Sequence, residues 1–189
     1  MNKKNPLFLL IAAGVIIVIA SFFFGGSKYL RAAKAGGDYL VSHMYEDGSF
    51  VYEYDPIEQK ESNSYNILRH AGTAYSLLEL YDATHDKKYL EAAERALVYL
   101  NDQIIPCPGI ANASCVEEAD EIKLGGNALA VLAFTEHIQL TGSTEYLEQA
   151  QALTRFMTAT QEVNGKFAVH KIDGSDGSVD DFDTGYYPG

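Results

Sequence analysis

Three carboxylates fall within four residues at Asp180-Asp181-Phe182-Asp183. Carboxyl groups this close can give and take protons, so Asp181 and Asp183 are candidate general acids or bases, although the same residues can cap a helix or solvate a loop. Arg69 offers a different chemistry. A guanidinium holds a carboxylate through two parallel hydrogen bonds, which makes an acidic sugar such as a uronate a suitable ligand. His70 can orient that ligand or sit as a hydrogen-bonded core histidine, and Tyr65 carries a phenol able to move a proton. Thirteen tyrosines and no tryptophan leave tyrosine to stack on sugar rings or fill the core. The segment Asp173-Gly174-Ser175-Asp176-Gly177-Ser178-Val179-Asp180 is acidic, but its spacing is not that of an EF-hand, and it reads as a polar surface loop with no metal assigned.

The elements that must position these groups are announced by a repeat. Tyr29, Leu30, Ala32, Ala33, Tyr39 and Leu40 recur 60 residues on as Tyr89, Leu90, Ala92, Ala93, Tyr99 and Leu100. A looser copy, Tyr146, Leu147, Gln149, Ala150, Phe156 and Met157, follows 57 residues later. Fixed self-similarity of this kind marks stacked units that bury a core only together. Helical spacing predicts one αα-hairpin from Asn66 to Tyr81 and Lys88 to Leu100, and the 57-residue offset, which matches the connector Asp82–Asp86 to Ile138–Ser143, places a second from about Leu124 to Leu140 and Thr144 to Thr160. Thr141-Gly142-Ser143 spells the stop between the latter pair. Lys28 to His43 reads as the outer helix of an incomplete first hairpin. Asp47-Gly48-Ser49-Phe50 aligns with Asn164-Gly165-Lys166-Phe167, tight turns with short strands expected at Phe50–Tyr54 and Phe167–Ile172. By the same register Gly189 falls where a third inner helix would begin, so the chain reads as the front part of a longer protein.

Lys3 and Lys4 precede an apolar run from Leu7 to Phe24, long enough to span a bilayer as a helix. Its length favours a retained signal anchor over residues 1–26, although Val18 and Ala20 before Ser21 resemble a cleavage site. Residues 27–189 then form the globular part, single-pass and extracytoplasmic, or secreted if the segment is removed. A net charge of −12 without a basic cluster argues against a nucleic-acid partner, because phosphate binding needs a cationic stripe. Cys107 and Cys115 flank a Pro/Gly/Asn loop; they could close a disulfide in an oxidising compartment or remain separate thiols.

Consecutive αα-hairpins with small residues on the inner helices and Y-L-x-x-A at the start of the outer ones resemble the six-hairpin (α/α)-barrel proteins. Those include glycoside hydrolases, polysaccharide lyases and sugar epimerases. The segment Ser64 to Gly72, S-Y-N-I-L-R-H-A-G, is most similar to glucuronyl C5-epimerase-like members. The resemblance implies an all-α fold: tandem hairpins of an incomplete toroid, with short β-hairpins on one rim. It also implies that the rim at the inner-helix N-termini holds a poly- or oligosaccharide. Tyr65, Arg69, His70, Lys123, Asn127, Asp181, Asp183, Tyr186 and Tyr187 are the residues that alignment brings to the rim, and no cofactor is implied. Helix N-termini add a field that favours anions. Two alternatives remain. One is a non-catalytic helical-repeat module for protein or glycan. The other is a terpenoid-cyclase-like toroid, suggested by degraded Q-W-like turns at Tyr45–Phe50 and Gln161–Phe167.

Overall fold

Runs that combine small residues with leucine at helical spacing become the inner helices, because small side chains let backbones approach while leucine fills the gaps. The computed structural model describes residues 27–167 and 169–181, which divide into two compact units between Asp38 and Tyr39. Helix α1 (Lys28–Ser42) begins in the first unit and ends in the second. In the second unit α2 (Ile67–Thr84) and α3 (Lys87–Asp102) form one hairpin, and α4 (Leu124–Thr141) and α5 (Leu147–Thr160) form the next. Both hairpins fall where the repeat put them. The start of α5 is later than expected because residues 144–146 form a turn, in which the Leu147 N–H donates to the Thr144 carbonyl at 3.1 Å. Gly142 (φ 72°) ends α4 as its sequence announces, whereas α2 ends on His85 at φ 54°, a left-handed stop without glycine.

Helix α2 packs against both α3 and α4. It buries Ala71, Ala74, Leu77 and Leu78, while α4 buries Gly126, Ala130, Ala133 and Phe134. The two inner helices meet at their starts, where a Cβ on Gly126 would lie only 3.3 Å from Leu68. The repeated skeleton is the face that outer helices turn toward inner ones: Tyr89, Ala92, Ala93 and Leu100 are at most 1% exposed. Tyr146, Ala150 and Phe156 take the same role in the third copy. Tyr29 and Tyr39 of the first copy are 75% and 61% exposed, and among the described residues no inner helix precedes α1.

The rim differs from the expectation of separate short hairpins on an all-α body. Strands β1 (Tyr54–Asp55) and β2 (Lys60–Glu61) make a small hairpin before α2. Strands β3 (Ile104–Pro106), β4 (Ser114–Glu118), β5 (Glu121–Lys123), β6 (Val169–Asp173) and β7 (Val179–Asp181) form one antiparallel sheet in chain order. The cysteine loop and the strand after α5 therefore belong to one layer. Its cause is a shared apolar face: Cys115, Ile122 and Ile172 pack with Phe156 of α5, and Ile122 lies opposite Ile172 in register. The strand expected at Phe50–Tyr54 is reduced to a bridge between Phe50 and Met44, followed by β1. Gly48 at φ 90° presses this turn onto α3, where a Cβ would run into the Arg95 carbonyl oxygen.

Cys107 and Cys115 are disulfide-bonded, with Cα atoms 5.0 Å apart, and close the β3–β4 connection inside the sheet core. Replacing both with serine is expected to lower unfolding stability by about 2–4 kcal/mol in a denaturant titration under oxidising conditions. An unchanged midpoint would show that the sheet holds the loop without the crosslink. Among the described residues no helix is long and apolar enough to cross a membrane. The run at 7–24 expected to enter the lipid bilayer lies outside them.

Candidate active site

The starts of α2 and α4 lie side by side, so the polar residues leading into both helices share one rim. Asn66 caps α2, its Oδ1 accepting the Arg69 N–H at 3.0 Å. Arg69 is exposed, and its guanidinium lies over the Tyr52 ring at 5.1 Å. It is thus available to a ligand with its plane already oriented.

Tyr65 and His70 form a buried relay rather than two independent contacts. The His70 Nε2–H donates to the Ala96 carbonyl at 2.8 Å, which leaves Nδ1 bare to accept from the Tyr65 hydroxyl at 2.6 Å. The Tyr65 oxygen in turn accepts the Phe50 N–H at 3.0 Å. His70 is 2% exposed, and burial holds its pKa below the ordinary imidazole value and keeps it neutral. Burial also raises the Tyr65 phenol well above its usual range. A histidine with both nitrogens engaged cannot orient a sugar directly, and a phenol donating to it does not serve as a base at neutral pH. Both act here by positioning the turn and the start of α2.

Asn127 and Lys123 are likewise committed. Asn127 is fully buried, accepting the Val116 N–H at 2.9 Å and donating to the Lys123 carbonyl at 2.8 Å, which fixes β4 to α4. The Lys123 ammonium meets Glu121 at 2.6 Å, and Lys171 meets the same carboxylate at 2.8 Å. Hydrogen bonds from these two lysines lower the Glu121 pKa to about 2.

The carboxyl that departs from this pattern is Glu118, at the end of β4. It is half-buried, and Oε1 is buried without a hydrogen-bond partner. Burial raises its pKa, opposed by the Ile67 N–H at the start of α2 and by the Lys123 charge. A carboxyl so placed holds its proton to higher pH than an exposed one. Asp47 has the opposite environment: Ser49 donates to its Oδ1 through both hydroxyl (2.7 Å) and N–H (3.0 Å), lowering its pKa. The charges of both Asp47 and Glu118 act on Tyr65 and Tyr99, whose rings lie 5.6 Å apart edge to face. The two carboxyls thus act on one pair of phenols while their own environments displace their pKa values in opposite directions.

Neither was a sequence candidate. Glu118 sits in V-E-E-A-D-E-I-K ahead of α4, in a hairpin whose turn residues Ala119 and Asp120 both have positive φ, without the Asn-Gly or Asp-Gly that announces such turns. Asp181 lies in β7 opposite Val169, while Glu118 pairs with Glu121 and Glu121 with Asp173. Three strand steps and four residues along a strand separate the backbones of Asp181 and Glu118 by about 20 Å. That exceeds the spacing of a glycosidase carboxyl pair, so the two do not share one site. Asp183, Tyr186 and Tyr187 lie outside the described residues.

Fold and rim together define two consecutive αα-hairpins with a sheet on one rim and titratable groups gathered at the inner-helix N-termini. No protein-family model matches the chain, and no curated protein matches it. Several solved structures share the fold. A sugar epimerase from a ruminal bacterium is 17% identical with a TM-score of 0.58, over 72% of this chain and 37% of that one. The GH76 α-mannanase of Bacteroides thetaiotaomicron is 18% identical with a TM-score of 0.54, over 66% and 36%. The chain thus spans 37% and 36% of the length of these neighbours.

Proposed function

We propose that this chain is part of a carbohydrate-active protein that works by general acid–base chemistry at the inner-helix rim. Glu118 is the acid and Asp47 the ionised base, with Arg69 and Tyr99 facing the sugar. The observation that carries this is the raised pKa of Glu118, half-buried with an oxygen left unpartnered, beside the lowered pKa of Asp47. Similarity to a sugar epimerase and an α-mannanase supports the substrate class, since both names describe proteins that act on carbohydrate.

Within that class, Arg69 favours a uronate-bearing residue at the reacting position, which would suit epimerisation or elimination as well as hydrolysis. The protein is also proposed to be anchored through residues 7–24, with residues 27–189 outside the cytoplasm. The disulfide supports that compartment. The experiment is turnover of a panel of neutral and uronate-containing oligosaccharides by the full chain, its Glu118→Gln variant and its Asp47→Asn variant. Turnover that survives both substitutions would remove the acid–base assignment, whereas glycan binding without turnover by the full chain would favour a non-catalytic module instead.

A further inference from the structure

We propose that the β1–β2 hairpin carries a second sugar-binding cleft, distinct from the Glu118 site, that takes uncharged hexose units of a glycan chain. The inference rests on the carbohydrate reading for the class of ligand. The rest comes from the hairpin itself, where an open cleft of ≈ 680 Å³ is bounded by β1, β2 and the residues that follow.

The walls divide into a framework and a free set. Asp55 builds the loop, its Oδ1 accepting the N–H groups of Ile57 at 2.8 Å and Glu58 at 3.1 Å. Glu61 accepts the Tyr45 hydroxyl, which ties the hairpin to the turn carrying Asp47 and Phe50. These bonds hold the cleft open without help from its other side chains. Glu53, Glu58, Lys60 and Asn63 line it with no side-chain hydrogen bond or ion pair among the described residues. Tyr54 also lines it and is 54% exposed.

Such a combination suits a sugar. An exposed tyrosine ring offers a flat face for the C–H side of a pyranose, carboxylates accept its hydroxyls, and the Asn63 amide can both donate and accept. A divalent cation is the other natural occupant of an acidic cleft. Yet among the described residues no three carboxylates, histidines or cysteines are grouped closely enough to hold one. Charge narrows the sugar further. Glu53, Asp55, Glu58 and Glu61 face a single Lys60 around the cleft, a field that repels a uronate and leaves an uncharged ring as the better ligand. Ser62, Asn63 and Ser64 run from β2 directly to Tyr65 and the α2 cap, so a chain seated in the cleft lies along the same rim as the acid–base site.

The test is isothermal titration of the full chain with mannotetraose as the neutral probe and tetragalacturonate as the acidic one. Mannotetraose is expected to bind in the cleft, and any tetragalacturonate binding, which belongs to the Arg69 rim, is expected to be unchanged by Tyr54→Ala. Tyr54→Ala should weaken mannotetraose about tenfold, the loss expected for one aromatic contact. Asn63→Ala should weaken it as well. Circular dichroism checks that each variant is folded, as substitutions at exposed positions should be. Absence of mannotetraose binding overturns the cleft, as does tetragalacturonate binding that is lost in Tyr54→Ala, or mannotetraose binding indifferent to both Tyr54→Ala and Asn63→Ala. If the cleft fails while oligosaccharide turnover still depends on Glu118, the carbohydrate reading stands alone. If binding follows Tyr54 while turnover ignores Glu118, the cleft stands and the acid–base assignment falls.

Discussion

Glu118→Gln is expected to lower turnover by about 100- to 10,000-fold, the usual contribution of a positioned general acid. Glutamine keeps the volume and the acceptor facing Ile67 but has no proton to give. The pH profile provides a second readout. The active form needs Glu118 protonated and Asp47 ionised, so activity should decline on the alkaline side as pH passes the raised Glu118 pKa, and on the acid side as it passes the lowered Asp47 pKa. In the Glu118→Gln variant the alkaline limb should vanish from the residual rate, and in Asp47→Asn the acid limb should. Stability distinguishes this from simple unfolding. Because the folded pKa of Glu118 is raised, the native state binds more protons than the unfolded chain above the ordinary value of 4.5, and stability falls as pH rises through that window. Removing the charge removes that penalty. The variant should therefore be at least as stable as the parent at neutral pH while turning over far more slowly. A variant that turns over normally would show that the buried carboxyl has no part in the chemistry.

What the repeat made legible, and what it left hidden, follows from the range of the interactions involved. Helices α2, α3 and α5 could be read from their apolar spacing and α4 from the repeat register and its Thr141-Gly142-Ser143 stop, and the outer-helix skeleton of tyrosine, leucine and alanine is the packing surface itself. Equivalence by register also drew attention to His70 and Asn127, and the fold commits both to internal hydrogen bonds. Each ties the start of its inner helix to a neighbour, His70 through Tyr65 and Ala96, Asn127 through Val116. A buried polar side chain near a helix start looks the same in sequence whether it meets a ligand or the backbone of the next element. The sheet was hidden for a different reason. Glu121 and Lys123 pair with Asp173 and Lys171 across the whole of the second hairpin, and short strands carry little local signal of such a partner. Glu118 was missed along with the sheet, since its burial exists only once β4 lies against the start of α2.

His70→Leu should cost about 2–3 kcal/mol at pH 7.5, chiefly because the Tyr65 hydroxyl loses its acceptor in a half-buried position. Leucine matches the apolar surroundings of Phe50 and Tyr99, whose rings lie 5.3 and 4.9 Å from the imidazole, so the loss reports on the hydrogen bonds more than on a cavity. The pH dependence separates this from generic core damage. Burial depresses the folded pKa of His70 below its ordinary 6.5, while the Ala96 carbonyl and the Asp47 charge pull weakly the other way. The unfolded chain therefore takes up the proton first. The contribution of a neutral His70 is complete above 6.5 and is lost as pH falls from there through the depressed folded value. Denaturant titrations at a series of pH values should show parental stability declining as the solution is acidified from neutrality, with a shallower decline in His70→Leu, so that the difference between the two narrows. A constant difference across that range would mean that His70 titrates alike in both states, and that the Tyr65–His70–Ala96 relay does not hold the imidazole neutral.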